Sequence, residues 1–458
     1  MSEEDISLIL DTYMYLDYKE ADDGMSLSEI MQNLSSSPEC QEGGIHYGEF
    51  KVLSEAVQNP AIGTLIIDNQ SHLMNFDAGT VACTFKTPDQ SCTYVVYRGT
   101  SDGEWPDNGL GMTEKATLQQ QRALSYFETS VERLGISNQQ HLIITGHSKG
   151  GNKAQYVLMS TKYGELIDVC YNVDGQGFSE EAIKAWKDQY GEVEFEKRRK
   201  KIIGIYGEND YVNVLGHSIV PKENVYYVQT PVEKTNFAGY HDIKYMFAKQ
   251  IPNLVTGEVQ THFTPRRNPY ALKQGTLGKY AAQLSGDMMA LPETKRDGCA
   301  SVIMHLMEAT RGKCEGINQE KLSLSDVDDF FAAGPELILR SLFFSGAGNG
   351  LLHSIFGKET LSCGMQGDVC FAIDEKQLGQ QGKELQRLAE LIKKETINLS
   401  AIQEKLSGAM RGNFELKQNI LAQERELHKL ALAFDRSAEQ ITELIKQYQD
   451  SDEAVFNS

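Results

Sequence analysis

The residues whose types and spacing could do chemistry surround a serine, Ser148, in the sequence Gly-His-Ser-Lys-Gly at positions 146–150. An apolar run at 142–144 precedes this serine, and residues 153–163 have the pattern of a helix. A strand, a sharp turn and a helix in that order form a nucleophile elbow, in which small glycines let strand and helix approach closely while the hydroxyl stays exposed. We therefore expect Ser148 to be the nucleophile of an acyl-transfer reaction.

A serine nucleophile requires a histidine that takes its proton and a carboxylate that orients the histidine. Asp210 and Asp174 each follow a predicted strand, and Asp210 is the preferred acid. His241 is the preferred base, because it gives the chain order serine, acid, histidine of α/β-hydrolases. His262 is the second choice for the base and His217 the third. The sequence thus offers a complete triad, with Asp174 and His262 left open as alternatives.

Acyl transfer also requires hydrogen-bond donors for the oxyanion. The backbone N–H of Lys149, the first residue of the predicted elbow helix, is one expected donor. The other is expected from the loop after the strand that ends at Tyr97, where Thr100 offers its N–H and its hydroxyl. Gly99 leaves room for close approach, whereas the side chains of His147 and Lys149 are expected to point away from the reaction.

Strands that alternate with helices predict an α/β fold, with a mostly parallel sheet and helices on both faces. Residues 4–35 have amphipathic helical patterns and are expected to cover one side of the sheet. The polar, glycine-rich residues 98–108 are expected to form an exposed loop at a strand's carboxyl end, where open sheets bind ligands. The predicted strands cover residues 64–67, 80–85, 93–97, 142–144, 167–173, 201–206 and 225–229, and the second and third of these form a hairpin.

The charge balance of the chain narrows the function classes. Its 458 residues include 44 lysines and arginines and 64 aspartates and glutamates, which gives a net charge of −20. This balance argues against nucleic-acid binding and against simple electrostatic docking on anionic lipid. The eight cysteines lack the spacing of zinc ligands, so no metal is predicted. No cofactor is predicted either. The N-terminus lacks the pattern of a secretory signal peptide, so any export is expected to use another route.

The C-terminal part of the chain has a different pattern. Residues 269–370 are predicted to be a helical extension or linker, because helical patterns replace strand patterns there. Residues 371–458 carry apolar residues every seven positions in two runs, joined by a glycine-containing turn at 407–412, which predicts an antiparallel helical hairpin. We therefore expect an α/β-hydrolase domain at 1–268, the linker, and the hairpin, so that the region after the first domain is all-α.

Three short blocks of the N-terminal region carry a family resemblance. They are Val-Val-Tyr-Arg-Gly-Thr at 95–100 followed by Trp105 and Asp107, Gly-His-Ser-Lys-Gly-Gly at 146–151, and Asn-Asp-Tyr-Val at 209–212. They are similar to the F-R-G-T…D-W, G-H-S-L-G-G and N-D-x-V blocks of class 3 (fungal-type) lipases and of a related bacterial lipase-like hydrolase family.

The resemblance covers about residues 5–265. It implies that Ser148 is the nucleophile and Asp210 the acid, with a late histidine as the base. It also places Thr100 at the oxyanion hole and implies a lipid ester as substrate. The chain departs from the family at Lys149, where leucine is usual, and in a short spacing from acid to histidine.

The tail carries a second resemblance. A helical hairpin followed by Tyr448 and Asp452 resembles the WXG/LXG superfamily of type VII secretion substrates, whose export signal is Y-x-x-x-D/E. Met-Arg-Gly at 410–412 stands where that superfamily has its Trp-x-Gly turn. A lipase followed by such a hairpin is similar to reverse-order type VII secreted lipase toxins. This implies small α-helical secretion partners on the hairpin and an immunity protein on the lipase domain.

The leading hypothesis is a secreted lipase or phospholipase A-type effector, cytoplasmic before export, that acts on lipid or phospholipid through Ser148, Asp210 and His241. One alternative is an intracellular acyl hydrolase whose hairpin forms a dimerising coiled coil. The other, from a different class, is a catalytically inactive hydrolase fold that serves as an interaction scaffold.

Overall fold

A computed structural model gives the fold of the chain. It describes residues 2–16, 23–70, 81–101, 103–230, 232, 237–247, 251–252, 259–260 and 273–309, together with 323, 325–326, 329–330, 333 and 383. The chain divides into two compact units, Met1–Ala290 with Met307–Lys321 and Leu291–Leu306 with Leu322–Ser458. The predicted hairpin at 371–458 lies outside the described residues except for residue 383, and the predicted domain boundaries stay predictions.

A seven-stranded, mostly parallel sheet forms the centre of the first unit, as the α/β prediction requires. Its strands follow one another in chain order, antiparallel from β1 to β3 and parallel from β3 to β7. The parallel strands are joined by segments long enough to cross over the sheet, most of which contain helices. The strands are β1 (Ile66–Gln70), β2 (Ala82–Lys86), β3 (Cys92–Tyr97), β4 (His141–His147), β5 (Val169–Val173), β6 (Ile202–Gly207) and β7 (Val225–Val228).

Within the first unit, helices flank this sheet. Within the described residues, no helix combines the length and the apolar character that crossing a membrane would need. A short antiparallel pair, β8 (Ile251–Pro252) and β9 (Val259–Gln260), precedes the last two helices. The helices are α1 (Glu3–Tyr13), α2 (Leu27–Leu34), α3 (Tyr47–Ala56), α4 (Pro60–Gly63), α5 (Trp105–Thr113), α6 (Leu118–Leu134), α7 (Lys149–Ser160), α8 (Glu180–Arg199), α9 (Thr276–Met289) and α10 (Glu293–Ala309).

Two hydrophobic cores lie on the two faces of the sheet, because side chains of a strand point alternately to opposite faces. On β3, Tyr94 and Val96 pack into the core shared with α1, α2 and α3. Val95 and Tyr97 pack into the core shared with α6, α7 and α8. The N-terminal helices therefore cover one side of the sheet, as expected from the amphipathic pattern of residues 4–35.

The segment at 98–108 differs from its prediction. It follows the carboxyl end of β3 as expected, but its second half forms the start of α5, and most of it is buried. The expectation of an exposed loop is wrong because the polar groups pair with one another: Arg98 Nη2 lies 3.0 Å from Glu104 Oε1, and Asp107 pairs with Lys149. Polar composition alone does not reveal such pairs.

Candidate active site

Ser148 occupies the turn between β4, which ends at His147, and α7, which begins at Lys149. Its φ of 59° and ψ of −129° define a backbone conformation that residues other than glycine rarely adopt. A strained backbone at the serine is typical of a nucleophile elbow. A Cβ atom at Gly146 would overlap the backbone of Gly150, so strand and helix meet at a distance that only glycine permits. The local structure is that of a nucleophile elbow.

The imidazole of His241 lies between Ser148 and Asp210. Its Nε2 is 2.7 Å from Ser148 Oγ, and its Nδ1 is 2.6 Å from Asp210 Oδ1. These distances let the serine hydroxyl donate to Nε2 while Nδ1–H donates to the carboxylate. The acid follows β6, and the histidine ends the 3₁₀ helix Phe237–His241. The structure thus brings together the three residues that the sequence favoured.

Asp210 is fully buried, and its second oxygen is saturated with hydrogen bonds. Asp210 Oδ2 accepts from the backbone N–H of Val212 at 3.1 Å and from that of Asn213 at 2.7 Å. The side-chain amide of Asn213 donates to the same oxygen at 2.6 Å. Three donors to one oxygen fix the orientation of the carboxylate, which leaves Oδ1 for His241.

Asp174, the alternative acid, occupies a neighbouring position with different chemistry. It follows β5 with a φ of 47°, and its Oδ1 accepts from the N–H of Gly207 at 2.8 Å. Burial, and then the negative charge of Asp210, raise the pKa of Asp174 well above its ordinary value, which favours the protonated carboxyl. Of the two carboxyl groups, Asp210 is the one that hydrogen-bonds His241 in the described structure.

The other candidate histidines differ in what the structure says about them. His217 pairs with Phe178 through backbone hydrogen bonds, and its Nε2 lies 3.6 Å from Glu180 Oε1, so its neighbours are at the start of α8. His262 lies outside the described residues. The hydrogen bond to Ser148 is made by His241.

His147 is a site residue that sequence reasoning placed wrongly. Its ring stacks on that of His241 with centroids 4.8 Å apart, and its Nδ1 lies 2.6 Å from the hydroxyl of Tyr15. Burial, and then the charge of His241, hold the pKa of His147 well below its ordinary value, so the ring stays neutral. The expectation that it points away is wrong. Strand alternation would have placed it on the same face as Ile143 and Thr145, towards α1.

The expected oxyanion donors are arranged around the elbow. Lys149 is the first residue of α7, where backbone N–H groups have no acceptor within the helix. Thr100 Oγ1 accepts a hydrogen bond of 2.9 Å from Asn108 Nδ2, which leaves the hydrogen of the threonine hydroxyl available to another acceptor. A Cβ atom at Gly99 would lie 3.1 Å from Ser148 Cβ, so the segment that carries Thr100 passes directly beside the serine.

Three side chains with metal-ligating atoms also converge here. One atom each from His147, Asp174 and His241 lies within 4.8 Å of the others. Both ring nitrogens of His241 already bond Ser148 and Asp210, so the cluster is accounted for by the triad and its neighbours. A serine nucleophile activated by histidine requires no metal to generate it.

Comparison with known proteins supports a lipase-like hydrolase. Residues 67–215, about a third of the chain, match the Mbeg1-like family, which is a lipase-like family. The matched region contains Thr100, Ser148 and Asp210 and ends before His241. No match was found among the curated proteins.

Two solved structures of fungal lipases are similar at a low level. One is a fungal lipase–inhibitor complex that served as a model for interfacial activation, with 14% identity, a TM-score of 0.26 and coverage of 40% of this chain and 73% of that one. The other is the native Rhizomucor miehei lipase–propeptide complex, with 13% identity, a TM-score of 0.25 and coverage of 47% and 76%. The assignment of the site rests on its own geometry.

Proposed function

We propose that this protein is a serine esterase that hydrolyses acyl esters of lipids. We propose phospholipids as its substrates, which would make it a phospholipase A-type enzyme. The observation that carries the proposal is the hydrogen-bonded series from Ser148 through His241 to Asp210, at 2.7 and 2.6 Å, built on a strained turn. The similarity to a lipase-like family supports an ester of a lipid as the substrate class.

The arrangement can perform both halves of ester hydrolysis. His241 Nε2 takes the proton from Ser148 Oγ as this oxygen attacks the ester carbonyl carbon. The tetrahedral oxyanion accepts hydrogen bonds from the Lys149 N–H and from Thr100. The imidazolium, stabilised by Asp210, then protonates the leaving alcohol as the carbon–oxygen bond breaks. In the second half, His241 Nε2 takes a proton from the water that attacks the acyl-enzyme carbonyl carbon, and it returns this proton to Ser148 Oγ as the acyl–oxygen bond breaks and the fatty acid leaves.

The test is hydrolysis of p-nitrophenyl esters of increasing acyl length and of phospholipid vesicles. Ser148→Ala should abolish hydrolysis and labelling by a fluorophosphonate, whereas Ser36→Ala, at an exposed serine, should keep both. Full activity in Ser148→Ala would overturn the proposal. Absence of both hydrolysis and labelling in the wild type would instead favour the inactive-scaffold alternative.

We further propose that the protein is an effector exported by a type VII-like route, through a signal at Tyr448 and Asp452 in the C-terminal hairpin. The support is the heptad pattern of residues 371–458 and the placement of the two residues after its second run. An exposed heptad seam fits small α-helical secretion partners, and an immunity protein would bind the hydrolase domain. The secretion partners and the immunity protein are thus proposed together with the export route.

Export is tested by expression in a cell with an intact type VII system. Tyr448→Ala should leave the protein inside the cell, whereas Gln449→Ala, at a variable position of the signal, should be exported like the wild type. Retention of the wild type in such cells would favour the alternative of an intracellular acyl hydrolase with a dimerising hairpin.

A further inference from the structure

Two buried lysines on α7 reach the segment that carries Thr100. Lys149 Nζ lies 2.8 Å from Asp107 Oδ2 and donates a hydrogen bond of 2.9 Å to the backbone carbonyl of Asp107. Lys153, one helical turn later, donates from Nζ to the backbone carbonyl of Arg98 at 3.1 Å. Both lysine side chains are almost completely inaccessible to solvent.

The two contacts lie on either side of Thr100. Arg98 comes two residues before it, and Asp107 immediately precedes Asn108, whose amide hydrogen-bonds the Thr100 hydroxyl. We call residues 98–108 the oxyanion segment. The lysines therefore connect the elbow helix, which begins directly after Ser148, to both ends of the segment that carries the second oxyanion donor.

The fold makes room for this connection. A Cβ atom at Gly111, in the C-terminal half of α5, would lie 2.9 Å from Lys149 Nζ, so α5 approaches the ammonium group closely. Gln176 approaches the same point of the helix, where its Nε2 donates to the carbonyl of Asn108 at 2.9 Å. The position of α5 against the elbow is thus set by polar contacts at several points.

Burying these charges is unfavourable by itself. An ion pair removed from water is often no more stable than an apolar pair of similar size, whereas its directional contacts restrict how the two elements can pack. Burial lowers the pKa of Lys153 to about 8, because an apolar surrounding disfavours the charged form. Two buried lysines with directed contacts to one segment therefore fit a role in fixing how α7 packs against that segment.

We propose that Lys149 and Lys153 are positioning residues that fix the oxyanion segment, and with it the Thr100 hydroxyl, against Ser148. The inference rests on the proposed esterase function. The oxyanion forms only in the transition state, so a displaced donor slows the chemical step and leaves substrate binding almost unchanged. The positioning role belongs to the two side chains, whose Nζ atoms contact the segment, and it is separate from the oxyanion contact of the Lys149 backbone N–H.

The experiment compares Lys149→Met and Lys153→Met with Lys201→Met. The control lysine also donates to backbone carbonyls, those of Gly164 and Ile167, but lies just before β6 at the opposite end of the strand from the acid. Each of the first two variants should lower kcat roughly tenfold to a hundredfold with KM changed less than about twofold. The control should keep the wild-type kcat.

A double variant separates positioning from folding. Lys149→Met leaves the Asp107 carboxylate unpaired, so part of its effect could come from lost stability. Adding Asp107→Asn removes that charge and should restore much of the thermal midpoint, while kcat stays low because the contact is still absent. Recovery of kcat together with the midpoint would overturn the proposal. If the Lys149 variants do not fold, Lys153→Met with wild-type kcat would overturn it alone.

A transition-state analogue supplies the last readout. The affinity of an alkyl trifluoromethyl ketone should fall in the Lys149→Met and Lys153→Met variants by the same factor as kcat/KM. An unchanged affinity in folded variants would overturn the positioning role. Absence of ester hydrolysis by the wild type would contradict the esterase function. A failure of the proposed function is therefore distinguishable from a failure of the positioning role.

Discussion

The ring of His147 lies against the ring of His241, with centroids 4.8 Å apart and planes inclined by 30°. The hydroxyl of Tyr15, which lies in the 3₁₀ turn after α1, makes a hydrogen bond with His147 Nδ1. In the proposed reaction, the neutral ring of His147 would restrict the orientation of the His241 imidazole without repelling the imidazolium that forms there. The N-terminal helical segment is therefore part of the site.

Removing the stacked ring should slow the reaction. We expect His147→Ala to lower kcat roughly tenfold to a hundredfold, because the imidazole of His241 loses a neighbour that restricts its orientation. His147→Phe keeps an aromatic ring there and should keep most of the activity. Steady-state ester hydrolysis measures both variants, and equal kcat in His147→Ala and the wild type would contradict the role of the stack.

The two carboxyl groups should differ in their effect on catalysis. Asp210→Asn should lower kcat on the order of 10⁴-fold, because it removes the carboxylate that orients His241 and stabilises its charged form. Asp174→Asn should change kcat less than about threefold. The same ester assay decides, and a larger loss in Asp174→Asn would reverse the assignment of the acid.

The stability of Asp174→Asn relative to the wild type should increase as pH rises. The folded protein keeps the Asp174 proton above the pH, about 4, at which the unfolded chain releases it, so folded wild type loses stability on the way to neutral pH. Asparagine has no such proton. The variant should therefore gain about 1.4 kcal/mol over wild type for each pH unit within that window.

Urea unfolding between pH 5 and pH 7 measures this difference. The chain has two tryptophans, Trp105 and Trp186, and both are buried in the hydrolase domain, so their fluorescence reports on its unfolding. A difference in the free energy of unfolding that stays constant across this range would mean that Asp174 ionises in the folded protein as it does in the unfolded chain.

The glycines of the elbow should tolerate no side chain. A Cβ atom at Gly150 would overlap the backbone carbonyl of Tyr97, so Gly150→Ala should lower the free energy of unfolding by about 1–3 kcal/mol and disturb the serine. Gly286→Ala is the matched control, because this α9 glycine has open space around its Cβ position. Thermal unfolding should show the control to be neutral or stabilised, and a neutral Gly150→Ala would contradict the close approach.

The sequence alone determined the features that depend on neighbouring residues. The apolar run, the glycine-flanked Ser148 and the helical pattern after it predict the elbow, because strand, turn and helix are local preferences. Alternating strands and helices predict the mostly parallel sheet, and parallel strands bring their carboxyl ends to one edge. This places Ser148, Asp174 and Asp210 near one another before any coordinate is known.

Only the tertiary structure decided among candidates separated by long stretches of chain. Asp174 and Asp210 both follow strands at the same edge of the sheet, and it is packing that raises the pKa of Asp174 by burial and gives Asp210 three hydrogen-bond donors. His241 meets Ser148 across 93 residues of sequence, and Tyr15 meets His147 across 132. Such contacts follow from how the elements pack, which local patterns do not encode. The contacts of the buried lysines with the segment that carries Thr100 also follow from how the elements pack.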